Sequence, residues 1–540
     1  MNERPASLRV ARIFAGAVIV IVALLPVVYV FAGIMGHEGK PNLGALQSVL
    51  SEPRQWILLG HSLCLAAGAT IAATLLGTAL GLAASNLRVP GHRYLLGAAA
   101  ISFVVPQYIL AMAWVDLLGS NGWLTQIAAR LFGVGQLPFS MYSLPGAILV
   151  LIGAFYPVVM LTTWAAARGL DPRLDEAASL TAGPWRRLLR ITLPLLLPSI
   201  FSGALFVFAL VLVAFAVPDL LQVRVYPVEI YTRYVVFYEF GQAAAQALPL
   251  LLCGLAPLAL WWWYVRPRMG RLRFVPGQRR HTITSRWARI VGALLSWAVV
   301  LVFTGLPLTA VFVHSLPLQT YLDTWKTAQT ELANSLTVSV ISATALVITG
   351  LATAYLARHS LALRSLVPTS VLPVLVSGPV VGIGLIALWN HADPRAVVYD
   401  GGAILILACA ARFLFFSHHG LLAAFSDLSP KLEEAACVFG IPWYRQLTGI
   451  FVPACAPAIV AAWAIAFVFS FSEVETTVLV CPPGWTTLTV RLFSLMHYGP
   501  SRMVFALSMI IVTIIVGTGL VTVLIFRKMK QASDVRHPVR

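Results

Sequence analysis

Charge is what this sequence has least of. Only 11% of its 540 residues are Asp, Glu, Lys or Arg, against roughly 25% in an ordinary soluble domain, which excludes a water-soluble globular enzyme. Acid is scarcer than base, with 20 Asp plus Glu against 37 Lys plus Arg and a formal charge of +17. Lysine is rarer still. None of the five, Lys40, Lys326, Lys431, Lys528 and Lys530, lies in a Gly-Lys-Ser or Gly-Lys-Thr run, which excludes a phosphate-cradling P-loop. The six cysteines, Cys64, Cys253, Cys409, Cys437, Cys455 and Cys481, are far apart and form no Cys-x-x-Cys pair, so neither a disulfide framework nor a metal site is expected. Clustered His and Asp or a nucleophile arrangement is also missing, and no catalytic residue is assigned.

What the chain does have is apolar length. Hydrophobic residues make up 59% of it and the mean hydropathy is +0.86. They lie in long uninterrupted runs, and a hydrocarbon core needs about 20 apolar residues per helical span. The expected fold is all-α and polytopic, with about twelve transmembrane helices in two homologous six-helix bundles. The first run, 13 to 32, follows Arg4, Arg9 and Arg12 and is too long for a signal-peptide core, although Ala32, Gly33 and Gly36 follow it. Further runs fall near 57 to 85, 96 to 118, 145 to 166, 193 to 217 and 247 to 265, then near 289 to 313, 334 to 357, 366 to 389, 402 to 423, 451 to 472 and 504 to 526.

Basic residues beside span ends mark the cytoplasmic side. Arg88 and Arg93 follow the second span, and Arg358 and Arg364 follow the eighth. Between the halves stand Arg266, Arg268, Arg271, Arg273, Arg279, Arg280, Arg286 and Arg289 with no acid among them, and the tail adds Arg527, Lys528, Lys530, Arg536 and Arg540. The loop from Asp219 to Gln246 holds Asp219, Glu229 and Glu239 against Arg224 and Arg233 and reads as outside. Both termini are therefore expected in the cytoplasm. The positive charge reports orientation in a lipid bilayer, and no nucleic-acid partner is expected.

The chain also repeats itself. LDPRLDEAA (Leu170 to Ala178) recurs as LSPKLEEAA (Leu428 to Ala436), 258 residues later, and Pro184-Trp185 recurs at the same spacing as Pro442-Trp443. Upstream, Ser62-Leu63 pairs with Ser335-Leu336 and Pro106 with Pro379, each 273 residues apart. The longer spacing implies an extra outer loop in the first half, near Gly119 to Ser140. Six spans per half give both copies the same orientation, so a pseudo-two-fold axis along the membrane normal relates them and a pathway lies between them.

In each copy a helix is expected after an N-cap, Asp171 or Ser429, with Pro172 or Pro430 at its first position and acids in its first turns. Gly183 and Gly440 are the expected turn residues. Leu174, Ala177, Ala178 and Thr181 share a face by spacing, as do Leu432, Ala435, Ala436 and Phe439. Two such helices on one side of the membrane read as docking surfaces for a soluble partner.

With these segments on the page, the sequence resembles the inner-membrane permeases of type I ATP-binding cassette (ABC) importers, whose signature is Glu-Ala-Ala, a glycine, then Ile-x-Leu-Pro. The second copy has Glu434, Ala435, Ala436, Gly440, Ile450 and Val452-Pro453. The first has Glu176, Ala177, Ala178, Gly183, Ile191 and Leu193-Pro194, with the glycine one position late and Leu-Pro one early. The resemblance implies coupling helices at Glu176 to Ala178 and Glu434 to Ala436, each seated on an ATPase subunit. It also implies two ATPase subunits, an extracytoplasmic solute-binding protein, location in a bacterial inner membrane, and ATP with Mg held by the partner, so that this chain carries no cofactor. The expected organisation is an anchor helix and outer loop at 1–56, a first repeat at 57–265, a basic linker at 266–288, a seventh helix and loop at 289–332, a second repeat at 333–526 and a basic tail at 527–540.

Fused two-repeat permeases of this kind resemble ferric-iron importers, with thiamine, phosphonate and polyamine systems as neighbours. The likeness to the iron type rests on VVPQYILAMAW (Val104 to Trp114), SNGWL (Ser120 to Leu124) and PPGWTTLTVRLFSLMHYG (Pro482 to Gly499). Ionisable groups inside spans mark the candidate path, because inserting them costs about 2.5 to 3.5 kcal/mol each. They are Arg412, and Glu473 with Glu475; Glu473 is expected either in the central cavity or at the outer interface. His418-His419 is a weak metal-ligand candidate because neighbours on a helix point apart, and Asp116, Asp219 and Cys481 read as interface or packing residues. A gradient-driven carrier and a membrane-embedded transferase are the rival classes.

Overall fold

The computed structural model describes residues 6–32, 43–87, 89–120, 122–133, 140–180, 182–269, 285–358, 360–390, 396–499 and 501–536. Arg88, Gly33, Gly36, Thr181, Arg271, Arg273, Arg279, Arg280 and Arg540 lie outside them. Among the described residues nine unbroken helices are long and apolar enough to cross a membrane: Ser7–Ala32, Pro53–Asn86, Leu144–Gly169, Pro184–Leu212, Phe240–Arg268, Arg286–His314, Gln319–Ala357, Ala403–Ser426 and Arg502–Met529. Three bent pairs complete up to twelve spans, one for each apolar run in the sequence. The protein is a polytopic all-α membrane protein.

The bends are what hydropathy does not show. The third span turns by 96° between Val104 and Gln107, and the ninth by 110° between Val374 and Gly378. Both bends stand at the repeated prolines. Pro106 forces Val105 out of the helical region, to φ −66 and ψ 134, as the residue before proline generally is. Pro379 opens the helix Gly378–Trp389 behind Ser377, which is extended at φ −63 and ψ 147. The eleventh span, unlike the fifth, also breaks, by 82° at Cys455 between Pro453 and Pro457.

The duplication is visible in contacts. The Ser62 hydroxyl accepts the Tyr226 N–H at 2.8 Å, and the Ser335 hydroxyl accepts the Leu488 N–H at 2.7 Å. Each repeated serine thus ties the first long helix of its repeat to a short helix on the same side, Tyr226–Val235 or Leu488–Met496.

The first helix of each half packs on the other half. Pro26 of the first span lies so close to Gly384 of the ninth that a Cβ there would stand 2.1 Å from the Pro26 carbonyl oxygen, and Ser7 Oγ accepts from Trp443 Nε1 at 3.2 Å. The seventh span meets the first half: His314 pairs with Asp116 at 2.8 Å, and Phe303 packs on Trp114 and Tyr156 with ring centroids 6.1 and 5.9 Å apart. A spatial bundle therefore holds five spans of one sequence half and the leading span of the other. The crossover joins the two repeats through contacts of each leading span with the other half.

Candidate functional site

Two regions gather the residues singled out above, one between the halves and one at a loop end of the spans. The first is a cavity of about 150 Å³. It forms where the bends of the third and ninth spans meet the ends of the fifth and eleventh, at Val213 to Ala216 and Ser472 to Glu475. Helices that break leave backbone groups and polar side chains unpaired at membrane depth, which is tolerated only where they line a protein-enclosed space.

Arg412 and Glu473 both line this cavity, and so does Glu475. Arg412 pairs with Glu475: Nη2 donates to Oε2 at 2.9 Å, and Nη1 donates to the Val376 carbonyl at the bend of the ninth span, 3.3 Å away. The other Glu475 oxygen accepts the N–H groups of Phe215 and Ala216 at 3.0 and 3.4 Å, so this carboxylate joins the second half to the first. Room for it comes from Gly378, where a Cβ would lie 2.4 Å from the Glu475 Cβ. Glu473 is 6% exposed and accepts the Thr476 N–H at 2.6 Å. It lines the cavity, the first of the two placements expected for it.

The walls come from residues that sequence reasoning did not single out. Phe103, Phe155, Phe413, Phe416 and Phe469 line the cavity, and Phe469 stands 5.1 to 6.0 Å, centroid to centroid, from Phe416, Phe413 and Phe103. Aligning the halves would have found some of them. Phe155 and Phe413 are 258 residues apart and Leu210 and Phe469 are 259 apart, the spacing of Pro194 and Pro453.

The second region is the pair of repeated helices, Pro172–Ser179 and Pro430–Val438. Both caps form as expected. Asp171 Oδ1 accepts from Arg173 N at 3.0 Å and Ser429 Oγ from Lys431 N at 3.4 Å. The paired alanines do not act together: Ala178 and Ala436 are buried at 8% and 3% exposure, whereas Ala177 and Ala435 are exposed with Glu176 and Glu434. One alanine of each pair is buried and the other faces out. Leu180 and Val438, again 258 residues apart, are 87% and 85% exposed.

The glycines differ. Gly440 is left-handed at φ +66 and closes its helix with N–H bonds from Gly440 to the Cys437 carbonyl and from Ile441 to the Ala436 carbonyl, each 3.0 Å, the double bond of a Schellman cap. Gly183 is extended, at φ −65 and ψ 163, and caps the next helix, Pro184–Arg187. The expectation that Gly183 turns the chain as Gly440 does is therefore corrected; the residue before Pro184 is held extended by that proline.

The remaining candidates have local explanations. Asp219 bonds His497 at 3.0 Å across the two halves. This hydrogen bond raises the His497 pKa above its ordinary value against the opposing effect of burial. His418 is buried at 1% exposure with neither ring nitrogen bonded, while His419 Nδ1 lies 3.1 Å from the Phe415 carbonyl. Among the described residues no three His, Cys, Asp or Glu side chains stand together as metal ligands.

Comparison with known proteins agrees with this geometry. Residues 73–271 match the family described as binding-protein-dependent transport system inner membrane component. The match falls on the first repeat, whose signature spacing departs further from the pattern. A putative 2-aminoethylphosphonate transport system permease protein, PhnU, of Salmonella choleraesuis is 32% identical over 171 residues, 31% of this chain and 59% of that protein. PhnV of Salmonella paratyphi A is 30% identical over 146 residues, 26% of this chain and 53% of that protein. The chain thus spans between half and three fifths of the length of these relatives. A putative ferric transport system permease protein, FbpB 1, of Haemophilus influenzae is 23% identical over 457 residues, 78% of this chain and 70% of that protein, a stretch too long to lie within one repeat. Residues 73–271 thus resemble the inner membrane component of binding-protein-dependent transport systems, in a chain whose relatives are named as transport system permease proteins.

Proposed function

We propose that this chain is the membrane-spanning permease of an ATP-driven importer, with the cavity between its halves on the substrate path. The observation that carries the reading is the pair of capped helices, each burying one alanine and presenting Glu-Ala and an apolar residue outward. Glu176, Ala177 and Leu180 in one copy, and Glu434, Ala435 and Val438 in the other, would seat two ATPase subunits; Ala178 and Ala436 would fix the helices so that ATPase closure moves the spans. Hydrolysis would belong to those subunits, and an extracytoplasmic binding protein would deliver the cargo. The basic linker and tail support a cytoplasmic position for both docking helices and both termini. The repeats at 57–265 and 333–526 would act as the two halves of the gate.

Relatives' names divide the cargo. Ferric iron belongs to the relative aligned over 78% of this chain, and 2-aminoethylphosphonate to those with 30 to 32% identity over shorter stretches. Uptake of labelled ferric citrate and 2-aminoethylphosphonate into cells expressing the whole system separates them. The importer reading is tested by copurifying the chain with its ATPase and measuring hydrolysis with and without loaded binding protein. Two ATPase subunits per chain and stimulated hydrolysis are expected; uptake abolished by an ionophore with ATP intact would replace the reading with a gradient-driven carrier.

A further inference from the structure

We propose that the cavity between the halves is a stopping site for a small organic ammonium ion, with Glu473 as its counter-ion and the phenylalanine faces as its walls. The inference rests on the importer reading and narrows its cargo. It begins with the charge balance of the lining. Arg412 is matched by Glu475, and Glu475 is filled by that guanidinium and two N–H groups. Glu473 lies in the field of that same guanidinium but makes no ion pair of its own among the described residues. Its bonded oxygen takes one backbone N–H, and the residue is 94% buried in the cavity wall. The lining therefore holds one carboxylate more than it holds guanidinium.

Two further groups point to a ligand. Tyr108, 2% exposed, and Ser472 both line the cavity, and the hydroxyl oxygens of both are buried with no hydrogen-bond partner among the described residues. Buried hydroxyls normally find a partner, since leaving one unmade costs about 1 to 3 kcal/mol. A ligand with N–H donors would satisfy the free lone pairs of both and of Glu473.

The walls select among cations. A cation within about 6 Å of an aromatic face is attracted by the ring quadrupole, most strongly when desolvated, and five phenylalanines line this space. A bare ferric ion prefers several hard oxygen ligands, and the described residues offer no cluster of three. An anion would meet two carboxylates, and the one guanidinium in the lining is already paired with Glu475. A space of 150 Å³ admits a ligand of about six non-hydrogen atoms, the size of benzene.

The test is calorimetric titration of the purified full-length chain with n-butylammonium, its neutral counterpart n-butanol, methylphosphonate and ferric citrate. Butylammonium is expected to bind at least about tenfold more tightly than the other three, and Glu473→Gln, which keeps the acceptor used by Thr476, to weaken it about tenfold to a hundredfold. Should that variant fail to fold, Phe416→Leu serves: it is expected to weaken butylammonium and leave butanol unchanged. Equal binding of butylammonium and butanol, tightest binding of methylphosphonate or ferric citrate, or indifference to both substitutions would overturn the site. Failure here with a substrate-stimulated ATPase complex overturns the site alone, whereas butylammonium binding with no ATPase partner overturns the importer reading alone.

Discussion

Where the second half carries Arg412, Glu473 and Glu475, the first half carries Ala154, Ala214 and Ala216 at spacings of 258 and 259 residues. The two halves share their packing: the serine contacts at Ser62 and Ser335, the prolines at Pro106 and Pro379 and the wall phenylalanines Phe155 and Phe413 all occur twice. They do not share their charge. Packing can be duplicated freely because each copy meets its own neighbours. Charge at a central axis cannot, because two copies would face one another across a few ångströms with little solvent to screen them. One half can therefore supply the ionic chemistry while the other supplies apolar wall and backbone donors, as Phe215 and Ala216 do for Glu475.

The strongest way to break that division is to remove one member of the ion pair. Glu475→Ala would leave Arg412 buried and unmatched, and a loss of about 3 to 5 kcal/mol in unfolding free energy is expected, whereas Ala216→Gly at the matching place is expected to cost about 1 kcal/mol or less. Denaturant titration of the solubilised chain compares them. Next in size is Gly378→Ala, whose Cβ would collide with Glu475; overpacking of this kind costs about 1 to 3 kcal/mol. Its first-half equivalent, 273 residues earlier, is Val105, which is 1% exposed; Val105→Ala removes packing where Gly378→Ala adds it, and the same denaturant titration compares the two.

A third comparison sets the docking helices against each other. The second is tied to the spans by Arg358, whose Nε lies 3.4 Å from Glu433 and whose side chain also donates to the Phe425 carbonyl and lies over the Phe451 ring. Ser85 holds the matching place in the first half and bonds only its own helix, at the Leu82 carbonyl. Arg358→Met is expected to reduce substrate-stimulated ATPase activity about tenfold, equivalent to about 1.4 kcal/mol, while Ser85→Ala leaves it near the parent value. Equal losses would mean that the ties are not what distinguishes the loops.

The smallest effect concerns His497 and Asp219, which join the halves on the side opposite the docking helices. His497 is raised in the folded protein by the Asp219 hydrogen bond. Its contribution to stability is therefore complete below the unfolded value, about 6.5, and is lost as pH rises through the raised value. Solvent reaches the pair, since the two side chains are 43% and 19% exposed, so the change is modest. Melting temperatures measured from about pH 6 to about pH 9 should fall more in the parent than in His497→Gln; parallel curves would show that the link contributes nothing.

Much of this was legible in the sequence. Twelve apolar runs became up to twelve spans because a bilayer leaves the backbone no alternative to internal hydrogen bonding. Asp171 and Ser429 could be read as caps because capping is decided by residues two or three apart. Other features were not local. Hydropathy does not register a bend, so the third and ninth spans read as straight although Pro106 and Pro379 stood in plain view. Whether Gly183 turned the chain depended on where the preceding helix ended, and the split of each alanine pair depended on which face met the spans.

By itself, then, the sequence determined the helices, the repeat and both capped Glu-Ala-Ala segments, since these follow from composition, short-range chemistry and spacing. Only the tertiary structure decided that Arg412 takes Glu475 and leaves Glu473 facing the cavity, and that the first and seventh spans change sides. Those outcomes depend on distances between residues up to 436 positions apart in the chain. A buried charge finds its partner by proximity, and proximity is set by packing.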